Sequence, residues 1–167
     1  TPGTVTPVSV PTLCPKGYYC PLGTKFKYEY PCPAGTFNAA EGAASDGQCA
    51  LCPKGYYCKD RGLDQATGKC YKGYVCPEGQ VRPNPTDHKC EEGSYCDKEG
   101  CGENPADCPV LCDAGYFNDM KGATMEASCR KCTKNCGGPG AKEDGVPCPA
   151  GKDCEGNSEV DCPVGYY

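Results

Sequence analysis

Isoleucine and tryptophan are absent from this 167-residue chain, and leucine, valine and phenylalanine are scarce. Together these residue types make up about a tenth of the sequence, half of what a packed globular core needs. A Rossmann sheet, a TIM barrel and a helix bundle are excluded, because each requires long apolar runs or helical apolar periodicity. No apolar run approaches ~18 residues, so this segment contains no predicted membrane span. The formal net charge is −5, with acids and bases interspersed and no basic block. That disfavours nucleic acid and anionic membrane as partners. The chain starts without methionine or a signal peptide, and is expected to be a mature segment or part of something longer.

What is abundant is cysteine, with 19 residues, beside 23 glycines, 17 prolines and 12 tyrosines. Cysteine at about one residue in nine marks a disulfide scaffold, in which covalent staples replace the missing core. So many thiols point to an oxidising compartment, and the predicted location is extracellular or the cell surface.

One heptapeptide recurs: cysteine, two residues, glycine, two residues usually including an aromatic, then cysteine or asparagine. It starts at Cys14, Cys32, Cys52, Cys70, Cys90, Cys112, Cys148 and Cys162. Seven-residue units that close on cysteine end at Cys20, Cys58, Cys76, Cys96 and Cys154. Two units make a longer period of 38 residues, shared by Cys14, Cys52 and Cys90 and by Cys32, Cys70 and Cys108. The segments beginning at Cys32 and Cys112 also match each other, with Cys49 and Cys52 placed as Cys129 and Cys132 are. Cys101 and Cys136 fall outside the regular pattern.

The recurring residues have physical roles. Proline presets φ for a turn, and the glycine supplies positive φ. The next two residues are β-formers, such as Tyr18-Tyr19, Thr36-Phe37 and Tyr56-Tyr57. The sixth position (Tyr19, Phe37, Tyr57, Val75, Tyr95, Phe117, Tyr167) is expected to pack against a neighbouring disulfide or unit, one buried aromatic substituting for a core. The predicted fold is therefore small and disulfide-rich. It is an elongated tandem array of short-strand, turn-rich cysteine repeats with little helix, because units this small must stack. Its radius of gyration should exceed the roughly 15 Å of a compact chain of this length.

Three regions follow. Residues 1–13 form a Thr/Pro-rich extended arm, 14–128 the regular repeats, and 129–167 irregular repeats that stop one residue short of the motif's second cysteine. The odd cysteine count and that stop predict that the polypeptide continues. Thr4, Thr6, Ser9 and Thr12 are candidate O-glycosylation sites, since the arm is similar in composition to O-glycosylated stalks. Unless held by its own rod, the arm is expected to add to an exposed strand edge of a neighbouring copy.

Cys49-x2-Cys52 and Cys129-x2-Cys132 have zinc-ligand spacing. Embedded in a uniform cysteine repeat, they read as ordinary half-cystines. His88, the single histidine, sits in a polar turn-like stretch and reads as a surface residue. Glu91-Glu92 and Glu143-Asp144 read as solvated acids rather than a catalytic pair. No catalytic site, metal site or cofactor is expected, and the chain is read as a non-enzyme.

The CPxGTF segment followed by C-x2-CPxGYYC, over Cys32–Phe37 and Cys49–Cys58, resembles the ephrin-receptor-like cysteine-rich repeat. That repeat is found in large extracellular proteins, including tandem arrays on protist and algal surfaces. It is distantly similar to tumour-necrosis-factor-receptor modules and EGF-like domains. The resemblance covers residues 14–128 well and 129–167 poorly. It implies an elongated, disulfide-braced module for spacing, adhesion or assembly, and carries no catalytic residues.

Two disulfide schemes stand open. The period suggests Cys14–Cys32, Cys52–Cys70, Cys90–Cys108 and a crossing Cys58–Cys76. The alternative, as in the first bond of a receptor module, pairs Cys32–Cys49 and Cys112–Cys129. All 19 cysteines are expected in disulfides, apart from an open partner for Cys162. The predicted function is a structural rod that self-associates into a homopolymeric fibre, appendage or coat, with O-linked glycans as a candidate modification. The alternatives are a ligand-binding receptor or adhesin ectodomain, whose binding patch would lie in 129–160, or a secreted enzyme with its catalytic domain elsewhere.

Overall fold

A computed structural model describes residues 12–102, 108–133, 136 and 138–145, and the backbone of 152–153 and 160–161. Each unit begins with a turn. The N–H of its fifth residue donates to the carbonyl of its second, as in Tyr18 to Pro15 (3.2 Å), Thr36 to Pro33 (3.1 Å) and Tyr56 to Pro53 (3.0 Å). The intervening glycine has φ of 79°, 85° and 79° at Gly17, Gly35 and Gly55, as a type II turn demands of its third residue.

The two residues after that glycine form a short strand, which pairs antiparallel with the two residues before the next unit's first cysteine. β1 (Thr36–Phe37) pairs with β2 (Ala50–Leu51), and β3 (Tyr56–Tyr57) with β4 (Gly68–Lys69). β5 (Ser94–Tyr95) pairs with β6 (Val110–Leu111), and β7 (Tyr116–Phe117) with β8 (Arg130–Lys131). Single bridges, Tyr18 to Pro31 and Tyr74 to Lys89, hold the same register in the remaining two units. Farther on, β9 (Lys152–Asp153) pairs with β10 (Val160–Asp161). The described residues contain no α-helix, only the 3-10 turns Asp46–Gln48 and Glu126–Ser128.

Successive units dock through a fixed set of backbone hydrogen bonds of 2.7–3.0 Å. The first cysteine of each unit donates to the turn glycine of the unit before it, from Cys32 to Gly17 through Cys132 to Gly115. A second glycine, in the polar loop, donates back to the previous unit's first cysteine: Gly42 to Cys14, Gly62 to Cys32, Gly79 to Cys52, Gly100 to Cys70, Gly122 to Cys90 and Gly140 to Cys112. The residue after that glycine accepts from the previous unit's seventh residue, as Ala43 does from Cys20 and Ala141 from Asn118. In five steps, from Gly17–Asn38 to Gly93–Asn118, the turn glycine also donates to the next unit's seventh residue. These bonds join sequence neighbours, so the array extends along one axis, as an elongated stack must. They continue past residue 128 into a unit starting at Cys132, which the heptapeptide pattern does not reveal.

The disulfides close within units rather than between them. Cys14–Cys20, Cys52–Cys58, Cys70–Cys76 and Cys90–Cys96 each link residues six apart. The pairings suggested by the 38-residue period, Cys14–Cys32, Cys52–Cys70, Cys90–Cys108 and Cys58–Cys76, do not form. The turn at the glycine folds the seventh residue back onto the first, with Cα atoms 5.8 Å apart in Cys14–Cys20 and Cys52–Cys58, inside disulfide range. The second scheme does occur: Cys32–Cys49 and Cys112–Cys129 each close a span of 17 residues. In those two units the seventh residue is asparagine. Asn118 is fully buried; its Nδ2 donates to the carbonyls of Ser94 (2.8 Å) and Met120 (3.1 Å), and its Oδ1 accepts from the Met120 N–H (3.0 Å). The side chain thus replaces a covalent closure with hydrogen bonds. Cys101–Cys108 and Cys132–Cys136 complete the described set.

The core is sulfur rather than aromatic. Cys32, Cys52, Cys58, Cys70, Cys76, Cys90 and Cys96 are 0% exposed. The sixth-position side chains do lie against the stack, but Tyr19, Phe37, Tyr57, Val75 and Tyr95 are only half-buried and Phe117 alone is buried. Tyr167 lies outside the described residues.

Candidate binding cleft between the fifth and sixth units

The pairing of Tyr95 with Val110 in β5 and β6 opens a cleft of about 430 Å³. Tyr95 and Tyr116 supply aromatic surface, Val110 and Leu111 an apolar edge, and the Cys112–Cys129 disulfide also lines the space. Asp113 and Glu126 bring two carboxylates to it, Glu126 from the first residue of the 3-10 turn. Burial raises the Tyr95 phenol above its ordinary pKa, and the negative charges of Glu126, Asp97 and Asp113 push the same way. The cleft is thus aromatic, partly apolar and negatively charged, a combination suited to an aromatic or apolar group that carries a cation.

The first two units provide an internal comparison. The Cys32–Cys49 disulfide corresponds to Cys112–Cys129, and the N–H of Tyr19 bonds the carbonyl of Tyr30 (3.0 Å), matching Tyr95 with Val110. There the ring of Tyr30 packs on Tyr19 with centroids 5.6 Å apart. Tyrosine thus stands where Val110 leaves space. Pro33, Thr36 and Asp46 occupy the positions of Asp113, Tyr116 and Glu126. The cleft is therefore a departure of one copy from its repeat. The departure expected in 129–160 lies in a stretch that falls partly outside the described residues, and the cleft draws instead on residues 95–129. The legible signal was the change from Tyr30 to Val110 between two otherwise matched loops.

Sixteen of the predicted cystine residues are paired as described above, while Cys148, Cys154 and Cys162 lie outside the described residues. The zinc-spaced pairs are divided among four disulfides: Cys49 bonds Cys32, Cys52 bonds Cys58, Cys129 bonds Cys112 and Cys132 bonds Cys136. The sulfurs of Cys96, Cys101 and Cys108 lie within 4.8 Å of one another and are buried. They belong to two stacked disulfides, Cys90–Cys96 and Cys101–Cys108, against which Val75 packs. His88 is partly exposed, its Nε2 3.6 Å from Asp87 Oδ2. Glu91 pairs with Lys121 at 2.8 Å. Asp144 accepts from the backbone N–H and the hydroxyl of Thr133. Thr12 is exposed; Thr4, Thr6 and Ser9, with most of the arm, lie outside the described residues.

No protein-family model matches the chain, and no curated protein matches its sequence. The heavy disulfide bonding fits an extracellular or secreted protein. Among the described residues no helix is long and apolar enough to cross a membrane.

Proposed function

We propose that this chain is a non-enzymatic extracellular structural protein of the ephrin-receptor-like repeat type, a disulfide-braced rod that self-associates into a fibre, appendage or coat. One observation carries this reading: three backbone hydrogen bonds recur in six successive steps at constant register. A stack built that way holds distance along one axis without a large core. Each step joins unlike donor and acceptor surfaces, and contacts between unlike surfaces form an open filament when their rotation does not close a ring. The 1–13 arm, with O-linked sugars at Thr4, Thr6, Ser9 or Thr12, belongs to this reading as a second connector between copies.

The cleft at Tyr95 favours a second reading, a receptor or adhesin ectodomain whose rod presents a ligand site. The two separate on the oxidised chain alone. Sedimentation velocity and electron microscopy over rising concentration should reveal filaments with a regular axial repeat. A chain that stays monomeric throughout that range refutes the fibre and leaves the ectodomain.

A further inference from the structure

The loop between Cys20 and Cys32 carries an exposed knob. Phe26 is 73% exposed and Leu22 fully so, with Tyr28 at 57%. The knob is held in shape rather than loose. Glu29 Oε2 accepts the N–H groups of Lys25 (3.1 Å) and Phe26 (3.4 Å), and the Glu29 N–H returns to the Phe26 carbonyl (3.1 Å). Tyr28 sets its ring edge-on to Tyr18 at 5.0 Å, and Lys27 Nζ lies 4.8 Å from the Tyr28 centroid. Its tip therefore presents a phenylalanine between two lysines, while the one nearby carboxylate is engaged by backbone.

The geometry points to docking of this knob, from a second copy of the chain, into the cleft between the fifth and sixth units. This rests on the fibre reading and names its contact. Two features of the cleft select the occupant. In the equivalent position of the first copy an aromatic ring, Tyr30, already packs on Tyr19, so the smaller Val110 leaves room for a ring beside Tyr95. Phe26 supplies one. The cleft's carboxylates, Asp113 and Glu126, match the two lysines that flank Phe26. An exposed apolar group meeting an apolar hollow, rimmed by opposite charge, is the usual anatomy of a specific contact. Each chain has one knob in its first unit and one cleft at its fifth junction. The contact therefore joins unlike surfaces, and it propagates when the rotation between copies does not close a ring.

The test uses the full oxidised chain and, as a separate probe, a synthetic peptide of residues 21–31. Peptide binding is followed by calorimetry and by the NMR shifts of Tyr95, Val110 and Glu126. Val110→Tyr, which installs the first copy's ring, and Phe26→Ala in the peptide are each expected to weaken binding about tenfold or more. Chains carrying Asp113→Lys with Glu126→Lys, or Lys25→Glu with Lys27→Glu, are expected to remain monomeric alone. Mixed, they should copolymerise, because each restores the other's charge match; all these side chains except Val110 are exposed, and unchanged near-ultraviolet circular dichroism verifies folding. Wild-type filaments from either charge variant alone, or from Val110→Tyr, overturn the docking and leave the fibre reading intact. If the wild-type chain forms no filaments, the fibre reading fails. The peptide then decides the cleft: binding sensitive to Val110→Tyr supports it, and absence of binding overturns it.

Discussion

Gly55 and Gly100 lie two units apart along the rod, yet a β-carbon on Gly55 would stand 2.2 Å from the Gly100 carbonyl oxygen. The same approach recurs at Gly17 with Gly62 (2.2 Å), Gly35 with Gly79 (2.6 Å), Gly73 with Gly122 (2.7 Å) and Gly93 with Gly140 (2.1 Å). Each of these five turn glycines therefore serves twice, adopting positive φ and admitting the backbone of the unit two steps on. Substitution should separate the two roles. Gly23→Ala, at φ 91° with open space around it, should cost only the backbone strain of about 1–2 kcal/mol. Gly55→Ala adds a backbone clash, typically ~1–3 kcal/mol more. Thermal unfolding of the two variants checks this; equal losses would falsify the close-approach role.

Asn118 and Asn38 occupy positions where other units have cysteine. Asn118→Ala strands the buried Ser94 carbonyl and removes the partner of the partly buried Met120 N–H, which should cost roughly 2–4 kcal/mol. Asn38→Ala should cost less, because its bond to the Tyr18 carbonyl is 3.4 Å long. Denaturant midpoints give the order; a larger loss at Asn38 contradicts it.

Peptide mapping of the oxidised chain should join Cys52 to Cys58 and Cys32 to Cys49, with no fragment linking Cys52 to Cys70. Replacing Cys52 and Cys58 together by alanine removes a loop closure worth about 2 kcal/mol in chain-entropy terms, less than the ~3 kcal/mol of an 18-residue loop.

The Lys121 ammonium, hydrogen-bonded to Glu91, holds the Glu91 carboxyl below the ordinary glutamate range and is itself raised. A lowered acid contributes stability above its unfolded pKa and loses it as pH falls through the folded value. The raised lysine contributes below its unfolded pKa and loses it as pH rises through the folded one. Carbon-detected NMR titration should find Glu91 titrating low at low salt, and Lys121→Gln should return it toward the ordinary range. An unchanged Glu91 titration in that variant would remove the pairing as the cause. The pair is exposed, so added salt should shrink the effect.

The sequence by itself determined the class of fold. A chain without isoleucine or tryptophan and with 19 cysteines must be stapled, and the recurring glycine marked the turns. Most strand positions were legible because tyrosine, threonine or phenylalanine follows the glycine within two residues, whereas β9 forms at Lys152–Asp153 without any of them. The alternatives left open at Cys32 were settled only in three dimensions, since spacing does not encode which thiols meet. The docking glycines at 42, 62, 79, 100, 122 and 140 were hidden among 23 glycines in loops of varying length. Their importance comes from a neighbour's backbone, which no local pattern reports. The cleft at Tyr95 is likewise a tertiary fact: Val110 is an ordinary strand residue until its register sets it opposite Tyr95, where the first copy of the same loop places a ring.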